Sequence, residues 1–315
     1  MNSLLNILTY HKKKYEIFGL LENLYKSISL SKLKNTKIKT HNLDSYSNLE
    51  SSNFDVVLFH SKVIKPTIIN YQDIAIGFDL NDLNYDEILF ANLNYLLRSD
   101  KVNKIFLFSN ISIDKINNEK LVLIKIDINN DKLMYERALT MYSFVNSNLF
   151  KNNTCLIDTD VFINFEELNI FSKNFDIALT HRTKQTFMPI NEGVILVKKN
   201  GISNAKEFFR NYMNIYSFIS RSNYVKNFYG NNIYIWRGGQ LSLNLLVYNK
   251  GSIFKDYENF YVDKNLILIL PSFNYNFTPK TKKSYSISYL KKKSIIHYKG
   301  DVLKKFFSNF KSIYF

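Results

Sequence analysis

The chain has 315 residues, of which 46% are hydrophobic and 22% are charged, values typical of a globular protein with a large core. Nine glycines and four prolines argue against long flexible linkers, and the single cysteine, Cys155, excludes an internal disulfide and a cysteine-rich zinc site. The net charge of +15 suits nucleic acid, an anionic membrane surface or a phosphorylated substrate.

Residues 1–70 predict a small α/β extension that precedes the main domain. Its β-rich runs are Leu5–Tyr10 and Asp55–Phe59, and Tyr15–Ile28 has the composition of a helix. No apolar run in the sequence approaches the ~20 residues that a membrane-spanning helix needs. The basic cluster follows the first short apolar run, which is the reverse of the order in a secretory signal. We therefore expect a cytoplasmic protein.

Apolar runs alternate with helix-like stretches from residue 71 onward. The predicted strands are Ile74–Asp79, Lys104–Phe108, Leu121–Ile126, Thr154–Ile163, Asp176–Thr180 and Gly193–Val197. The predicted helices are Tyr85–Leu97, Met134–Leu149 and Ile202–Tyr216. This βαβ rhythm predicts an α/β fold with a mainly parallel sheet and helices on both faces. In such sheets, ligands bind beyond the carboxyl ends of the strands.

The run CLIDTDVFIN carries the strongest chemical signal. Four apolar residues predict a buried strand, and Asp158 and Asp160 follow it in the one D-x-D triplet of the sequence. At strand spacing the two carboxylates point the same way, where they repel each other unless a cation lies between them. A hard divalent ion with oxygen ligands resolves that repulsion and also binds the diphosphate of a nucleotide sugar.

Other interpretations account for parts of this pattern. The triplet on its own is also compatible with a solvated strand end. A phosphatase of the haloacid dehalogenase type places D-x-D after an apolar strand, but near the start of its fold and with an acidic pair downstream. A nucleic-acid-binding protein would explain the charge, although the sequence contains no recognised module for that role.

The sequence resembles the family 8 glycosyltransferases, the galactosyl- and glucosyltransferase group that includes glycogenin, and their GT-A relatives. Five landmarks around the D-x-D strand occur in the family's order: MYERALTMYSF, INEGVILVKK, WRGGQLSLN, LPSFNYNF and IIHYKGDVLKKF. The likeness covers roughly residues 71–310. It implies a GT-A Rossmann-like catalytic domain over residues 71–300, with a mixed, mainly parallel sheet, that uses Mn²⁺ or Mg²⁺ and a UDP-linked nucleotide sugar as the donor.

The resemblance also implies roles for individual residues. Asp158, Asp160 and His297 match the family's metal ligands, with Asp158 also at the diphosphate. Other residues match the family's contacts to the nucleotide-sugar donor. These are Asp79 at the base and ribose, Arg137 at the nucleotide sugar, and Gly300 and Lys304 at the diphosphate. Gln240 matches the glutamine beside the reacting sugar carbon, and Asn191 and Glu192 open the strand that faces the acceptor.

Three positions depart from the family pattern. Leu303 stands where the family has its lysine, which leaves Lys304 or Lys305 as the candidates for that role. Gly239 replaces the aspartate before Gln240 and removes a sugar-hydroxyl contact, a change that would also suit an inactive transferase-like protein. Glu192 replaces a small residue. The resemblance implies retention at the sugar carbon; in an inverting enzyme, Glu192 or another nearby carboxylate would be the candidate general base.

The C-terminal segment 301–315, DVLKKFFSNFKSIYF, predicts a basic aromatic helix. Val302, Phe306, Phe310 and Ile313 share one face, with lysines beside them. Such a helix suits either packing on the core or peripheral contact with an anionic membrane. Membrane contact would fit an enzyme that acts on a lipid-linked glycan or a lipopolysaccharide.

Overall fold

Eight strands form the central sheet of the protein in a computed structural model. The structure describes residues 38–62, 68–71, 74–77, 85–111, 116–182, 189–223, 238–247, 254–279, 284 and 286–298. The sheet strands are β1 (Phe54–His60), β4 (Val102–Ser109), β5 (Leu121–Lys125), β6 (Thr154–Ile157), β8 (Ile177–His181), β9 (Ile190–Val197), β10 (Asn259–Val262) and β11 (Asn265–Pro271). Their order is β10-β11-β8-β9-β6-β1-β4-β5.

Most neighbouring strands of this sheet are parallel. The pairs β6–β1, β1–β4, β4–β5 and β8–β11 are parallel, whereas β9 is antiparallel to both β6 and β8, and β10 to β11. The carboxyl ends of β1, β4 and β6 therefore meet at one edge. The predicted α/β fold with a mainly parallel sheet is confirmed, with β9 as an antiparallel insertion.

Helices cover both faces of the sheet, because its inner strands are apolar on both sides. Val56 and Leu58 of β1 enter one core cluster and Val57 enters the other. Helix α1 (Tyr85–Arg98) packs on the first face through Leu89, Leu93 and Leu96. The other face is covered by three helices, α2 (Leu133–Asn146), α3 (Ile202–Arg221) and α4 (Gly238–Leu246).

Four short strands and two short α-helices lie outside the eight-stranded sheet and the helices that cover it. Strands β2 (Ile68–Tyr71) and β3 (Ile74–Gly77) form an antiparallel pair, and so do β7 (Val161–Ile163) and β12 (Ile295–His297). The helices are α5 (Ser272–Tyr275) and α6 (Ile287–Leu290). Within the described residues, no helix is both long enough and apolar enough to cross a membrane.

Two strands lie elsewhere than the sequence indicated. Ile74–Asp79 was expected to open the core sheet, but β3 pairs with β2 in a separate two-stranded sheet. The strand beside the D-x-D strand is instead β1, which falls within the predicted extension 1–70 yet lies between β6 and β4. Helix α1 connects β1 to β4, so the two strands form an ordinary parallel crossover.

Candidate metal centre

The D-x-D triplet forms a turn between two strands of different sheets. The sequence predicted one strand over Thr154–Ile163, but β6 ends at Ile157 and β7 begins at Val161. The amide of Val161 donates to the carbonyl of Asp158 at 3.1 Å and closes the turn. Asp158 and Asp160 therefore lie side by side because the chain turns, and strand alternation is not the reason.

Two buried side chains hold this turn against the sheet. Thr159, the middle residue of the triplet, donates its hydroxyl to the carbonyl of Phe59 in β1 at 3.0 Å. The amide nitrogen of Asn92 in α1 donates to the carbonyls of Thr159 and Val161, each at 2.9 Å. Asn92 is fully buried, so these bonds have no competing water. The turn is fixed from both the sheet and the helix.

His297 reaches the two aspartates through the β7–β12 pair. Val161 and His297 are partners in this pair, and the amide of Tyr298 donates to the carbonyl of Asp160 at 2.9 Å. The Nε2 atom of His297 lies 3.2 Å from Oδ1 of Asp160 and 3.7 Å from Oδ2 of Asp158. One ligand atom from each of the three residues lies within 4.8 Å of the others. The structure thus brings together the three residues predicted as metal ligands.

Gly193 allows the histidine and the first aspartate to approach each other. A Cβ atom at this position would lie 2.5 Å from Cε1 of His297 and 2.6 Å from Oδ2 of Asp158. Both distances are far below van der Waals contact, so a side chain at residue 193 would push the ligands apart. The glycine of the INEGVILV segment is therefore required by the cluster itself.

Arg137 links the cluster to Glu192. Its Nε lies 2.6 Å from Oδ1 of Asp158, its Nη1 lies 2.6 Å from Oε1 of Glu192, and its Nη2 donates to the carbonyl of Glu192 at 2.9 Å. Burial opposes the charged guanidinium, but the two carboxylates outweigh it and raise the pKa of Arg137 above its usual value. Arg137 was predicted to contact the nucleotide sugar; its contacts in the structure hold Asp158 and Glu192.

Glu192 is buried on β9 with its carboxylate among donors. The Tyr212 hydroxyl donates to Oε1 of Glu192 at 2.6 Å, beside the contact with Arg137. Burial raises the pKa of Glu192, and these two neighbours act in the opposite direction. The carboxylate lies against Gly239 of α4, where a Cβ atom would be 2.3 Å from Oε1.

Gln240 and Asn191 meet beside this carboxylate. The Asn191 amide donates to Oε1 of Gln240 at 3.3 Å, and the carbonyl of Gln240 accepts from Asn244 at 2.7 Å. Gln240 is partly exposed, whereas Asn191 and Asn244 are buried. The residues predicted for the sugar and the acceptor therefore adjoin the cluster on its β9 and α4 side.

Asn276 is a site residue that the sequence analysis missed. Its Oδ1 lies 2.9 Å from Nδ1 of His297, and its Nδ2 donates to Thr180 at 2.8 Å and to Asn191 at 2.6 Å. It belongs to the LPSFNYNF segment, which was matched as a landmark without a role for this residue. The available signal was an asparagine just after a buried strand, which is too common to stand out.

Several predicted site residues lie outside the described part of the chain. They are Asp79, Gly300, Lys304 and the segment 301–315. Two histidine–aspartate pairs at strand ends were not predicted: His60 with Asp86 at 2.8 Å, and His181 with Asp256 at 2.6 Å.

Comparisons with known proteins concern the fold. No family model and no curated protein matches the sequence. Similar solved structures include a glycosyltransferase involved in the glycosylation of the major capsid of PBCV-1, with 11% identity, a TM-score of 0.42 and coverage of 82% of this chain and 99% of that one. An active-site mutant of LgtC has 12% identity, a TM-score of 0.43 and coverage of 82% and 95%. The bifunctional glycosyltransferase WbbM has 14% identity and a TM-score of 0.44; the match covers 92% of this chain but 59% of WbbM. At these values the likeness carries no argument about activity.

Proposed function

We propose that this protein is a metal-dependent glycosyltransferase. It would move a hexose from a nucleotide sugar, UDP-linked, to a hydroxyl of a glycan or lipid-linked acceptor, with retention at the sugar carbon. The observation that carries the proposal is the cluster of Asp158, Asp160 and His297. The D-x-D turn follows the carboxyl end of β6, next to the parallel strand β1, which is where open α/β sheets bind their ligands.

The donor atoms of the cluster fit a divalent cation. Two carboxylates on the turn after β6 and an imidazole nitrogen on β12 place one ligand atom each within 4.8 Å of the others, a spacing that one cation can bridge. Oxygen and imidazole ligands suit Mn²⁺, and the carboxylates also suit Mg²⁺. Such an ion would supply positive charge against the departing nucleoside diphosphate.

The surrounding side chains would orient the reactants. Arg137 holds one oxygen of Asp158 at 2.6 Å and leaves Oδ2 directed toward His297. Gln240, together with Asn191 and Glu192, would line the space for the transferred sugar and the acceptor hydroxyl. In a retaining reaction the leaving diphosphate would help to deprotonate that hydroxyl, and Glu192, already paired with Arg137, would act as a hydrogen-bond acceptor for hydroxyl groups.

The remaining contacts are assigned by the resemblance alone. Asp79 would contact the base and ribose, and Gly300 and Lys304 the diphosphate. A basic aromatic helix at 301–315 would bring the enzyme to an anionic membrane surface that carries a lipid-linked acceptor.

Ligand-dependent stabilisation tests the proposal. We expect UDP or a UDP-sugar to raise the melting temperature in Mn²⁺ and to have no such effect in EDTA. At a ligand concentration a hundredfold above Kd, the gain would be roughly 2.7 kcal/mol. Asp160→Asn should abolish the gain. Asp100→Asn is the matched control, because Asp100 is exposed and precedes β4 at the opposite edge of the sheet.

Two results would overturn the assignment. Stabilisation by UDP that persists in EDTA would mean that UDP binds without a metal ion. Hydrolysis of a simple phosphate monoester that depends on Asp158, without any response to UDP, would instead make the protein a phosphatase with Asp158 as nucleophile.

A further inference from the structure

A chain of side-chain amides lies behind the histidine of the cluster. It runs from Gln240 through Asn191 and Asn276 to Nδ1 of His297, with contacts of 3.3, 2.6 and 2.9 Å. Asn276 is 3% exposed, so each polar atom of its amide needs a protein partner. The amide nitrogen has a further acceptor in Thr180 at 2.8 Å.

A backbone amide sets the orientation of the whole chain. The oxygen and nitrogen of an asparagine side chain are distinguished by their partners. The amide of Gly193, which is always a donor, lies 3.2 Å from one atom of the Asn191 side chain, so that atom is the oxygen. Asn276 approaches the same oxygen at 2.6 Å and must do so with its NH₂ group. Its own oxygen therefore faces His297.

This orientation determines which nitrogen of the imidazole carries the proton. An amide oxygen accepts and cannot donate, so Nδ1 of His297 must bear hydrogen. In the neutral ring Nε2 then presents its lone pair, and Nε2 is the atom that faces Asp160 at 3.2 Å and Asp158 at 3.7 Å. A lone pair between two carboxylates is the arrangement of a metal ligand whose other nitrogen is held by a partner.

We propose that Asn276 is a positioning residue that fixes His297 in the tautomer that binds a metal ion through Nε2, and that it thereby makes the site prefer Mn²⁺ over Mg²⁺. This role rests on the proposed function, since it requires that the cluster bind a metal. Mg²⁺ favours an all-oxygen shell, whereas an imidazole nitrogen favours a transition-metal ion. Without the amide oxygen of Asn276, the ring would be free to rotate or to present Nε2–H.

Metal affinities test this role without an activity assay. Both ions are tested without a nucleotide. The dissociation constant for Mn²⁺ is measured by electron paramagnetic resonance of free Mn²⁺, and that for Mg²⁺ by calorimetric competition. Asn276→Leu, which removes the acceptor with little change in volume, should weaken Mn²⁺ binding by about 10- to 100-fold and Mg²⁺ binding much less. The ratio of the Mn²⁺ affinity to the Mg²⁺ affinity should therefore fall toward the ratio measured for His297→Ala.

Two further variants separate positioning from packing. Thr180→Val removes the hydrogen bond from Asn276 to Thr180 and leaves the oxygen of Asn276 on His297. The affinity for Mn²⁺ should then change by no more than about twofold, far less than the loss expected for Asn276→Leu. Asn276→Asp keeps an oxygen for Nδ1–H and should retain Mn²⁺ binding. If Asn276→Leu fails to fold, Asn276→Asp tests the role on its own. A loss of Mn²⁺ binding in Asn276→Asp as large as the loss in His297→Ala would then refute the role of Asn276.

The remaining outcomes are equally decisive. A folded Asn276→Leu protein with unchanged Mn²⁺ affinity, or with equal losses for Mn²⁺ and Mg²⁺, would overturn the role of Asn276 while the metal site stands. Absence of Mn²⁺ binding in the wild type would overturn the metal site and this inference together.

Discussion

The carboxylate of Glu192 occupies the space where a side chain at Gly239 would begin. A Cβ atom at residue 239 would lie 2.3 and 2.4 Å from the two carboxylate oxygens. The family pattern that this sequence resembles has a small residue at the first position and an aspartate at the second. The sequence departs from that pattern at both positions, and the structure places the two departures against each other.

Gly239→Ala should destabilise the protein as long as Glu192 is present. The added methyl group would displace a buried carboxylate that Arg137 and Tyr212 hold in place, and overpacking of this kind costs about 1–3 kcal/mol. In a Glu192→Ala background the same change should be neutral or stabilising, since alanine favours the helix. Urea unfolding of the two single variants and the double variant measures the coupling, and additive effects would contradict the steric account.

Arg137→Met should cost about 3–5 kcal/mol of unfolding free energy, the range for breaking one side of a buried ion pair. The substitution leaves the carboxylate of Glu192 buried without its positive partner, and it releases Asp158. Arg210→Met on the exposed face of α3 is the control and should change stability little. Chemical denaturation compares the two, and equal effects would mean that Arg137 does not hold the site.

Cys155 should react with alkylating reagents at the rate of global unfolding. Burial, with a smaller effect from Asp55, raises the pKa of its thiol far above the usual value, and the thiolate is the reactive form. The residue lies in β6, between β1 and β9. Labelling by iodoacetamide as a function of urea should follow the unfolding curve. Fast labelling of the native protein would show that this part of the sheet opens locally.

His60→Gln should change the response of stability to acid. Burial lowers the pKa of His60 below 6.5, and the nearby Asp86 only partly opposes this. The unfolded chain then binds a proton more tightly than the folded one. The stability contributed by neutral His60 is therefore complete above pH 6.5 and is lost as the pH falls through the lowered pKa.

Glutamine does not titrate, so the difference between wild type and His60→Gln isolates this effect. Unfolding free energies from pH 8 to pH 5 should show the wild type losing stability relative to the variant. A difference that is independent of pH would mean that Asp86 fully offsets burial, and a difference of the opposite sign would mean that Asp86 dominates over burial.

The local elements follow from the sequence because their apolar periodicity is strong. Helices α1, α2 and α3 were predicted within a few residues of their observed ends, except for α3, which continues to Arg221. The D-x-D position after a buried strand and the later histidine were both recognisable. The order of Asp158, Asp160 and His297 along the chain distinguished them from ordinary polar residues. The structure brings the three side chains together.

The long-range pairing was less accessible, although one part of it could have been deduced. The sequence analysis assigned no direction to β9, which is antiparallel to both of its neighbours. Only residues 182–189 connect β8 to β9, too few for a parallel crossover of about a dozen residues or more. The position of β1 inside the sheet gave no such signal, because a short apolar run reads the same in an extension and in a core. Asn276 acts through contacts with β8 and β9 that no local pattern reveals.

The β7–β12 pair brings together candidate ligands from the middle of the chain and from near its C-terminus. Asp160 leaves the sheet just after β6, whereas His297 arrives after β11, the last strand of the eight-stranded sheet. A chain that stops after Pro271 would still contain every strand of that sheet but would lack the imidazole. Because His297 follows the last strand of this sheet, the complete cluster of Asp158, Asp160 and His297 can form only after every strand of the sheet is present in the chain.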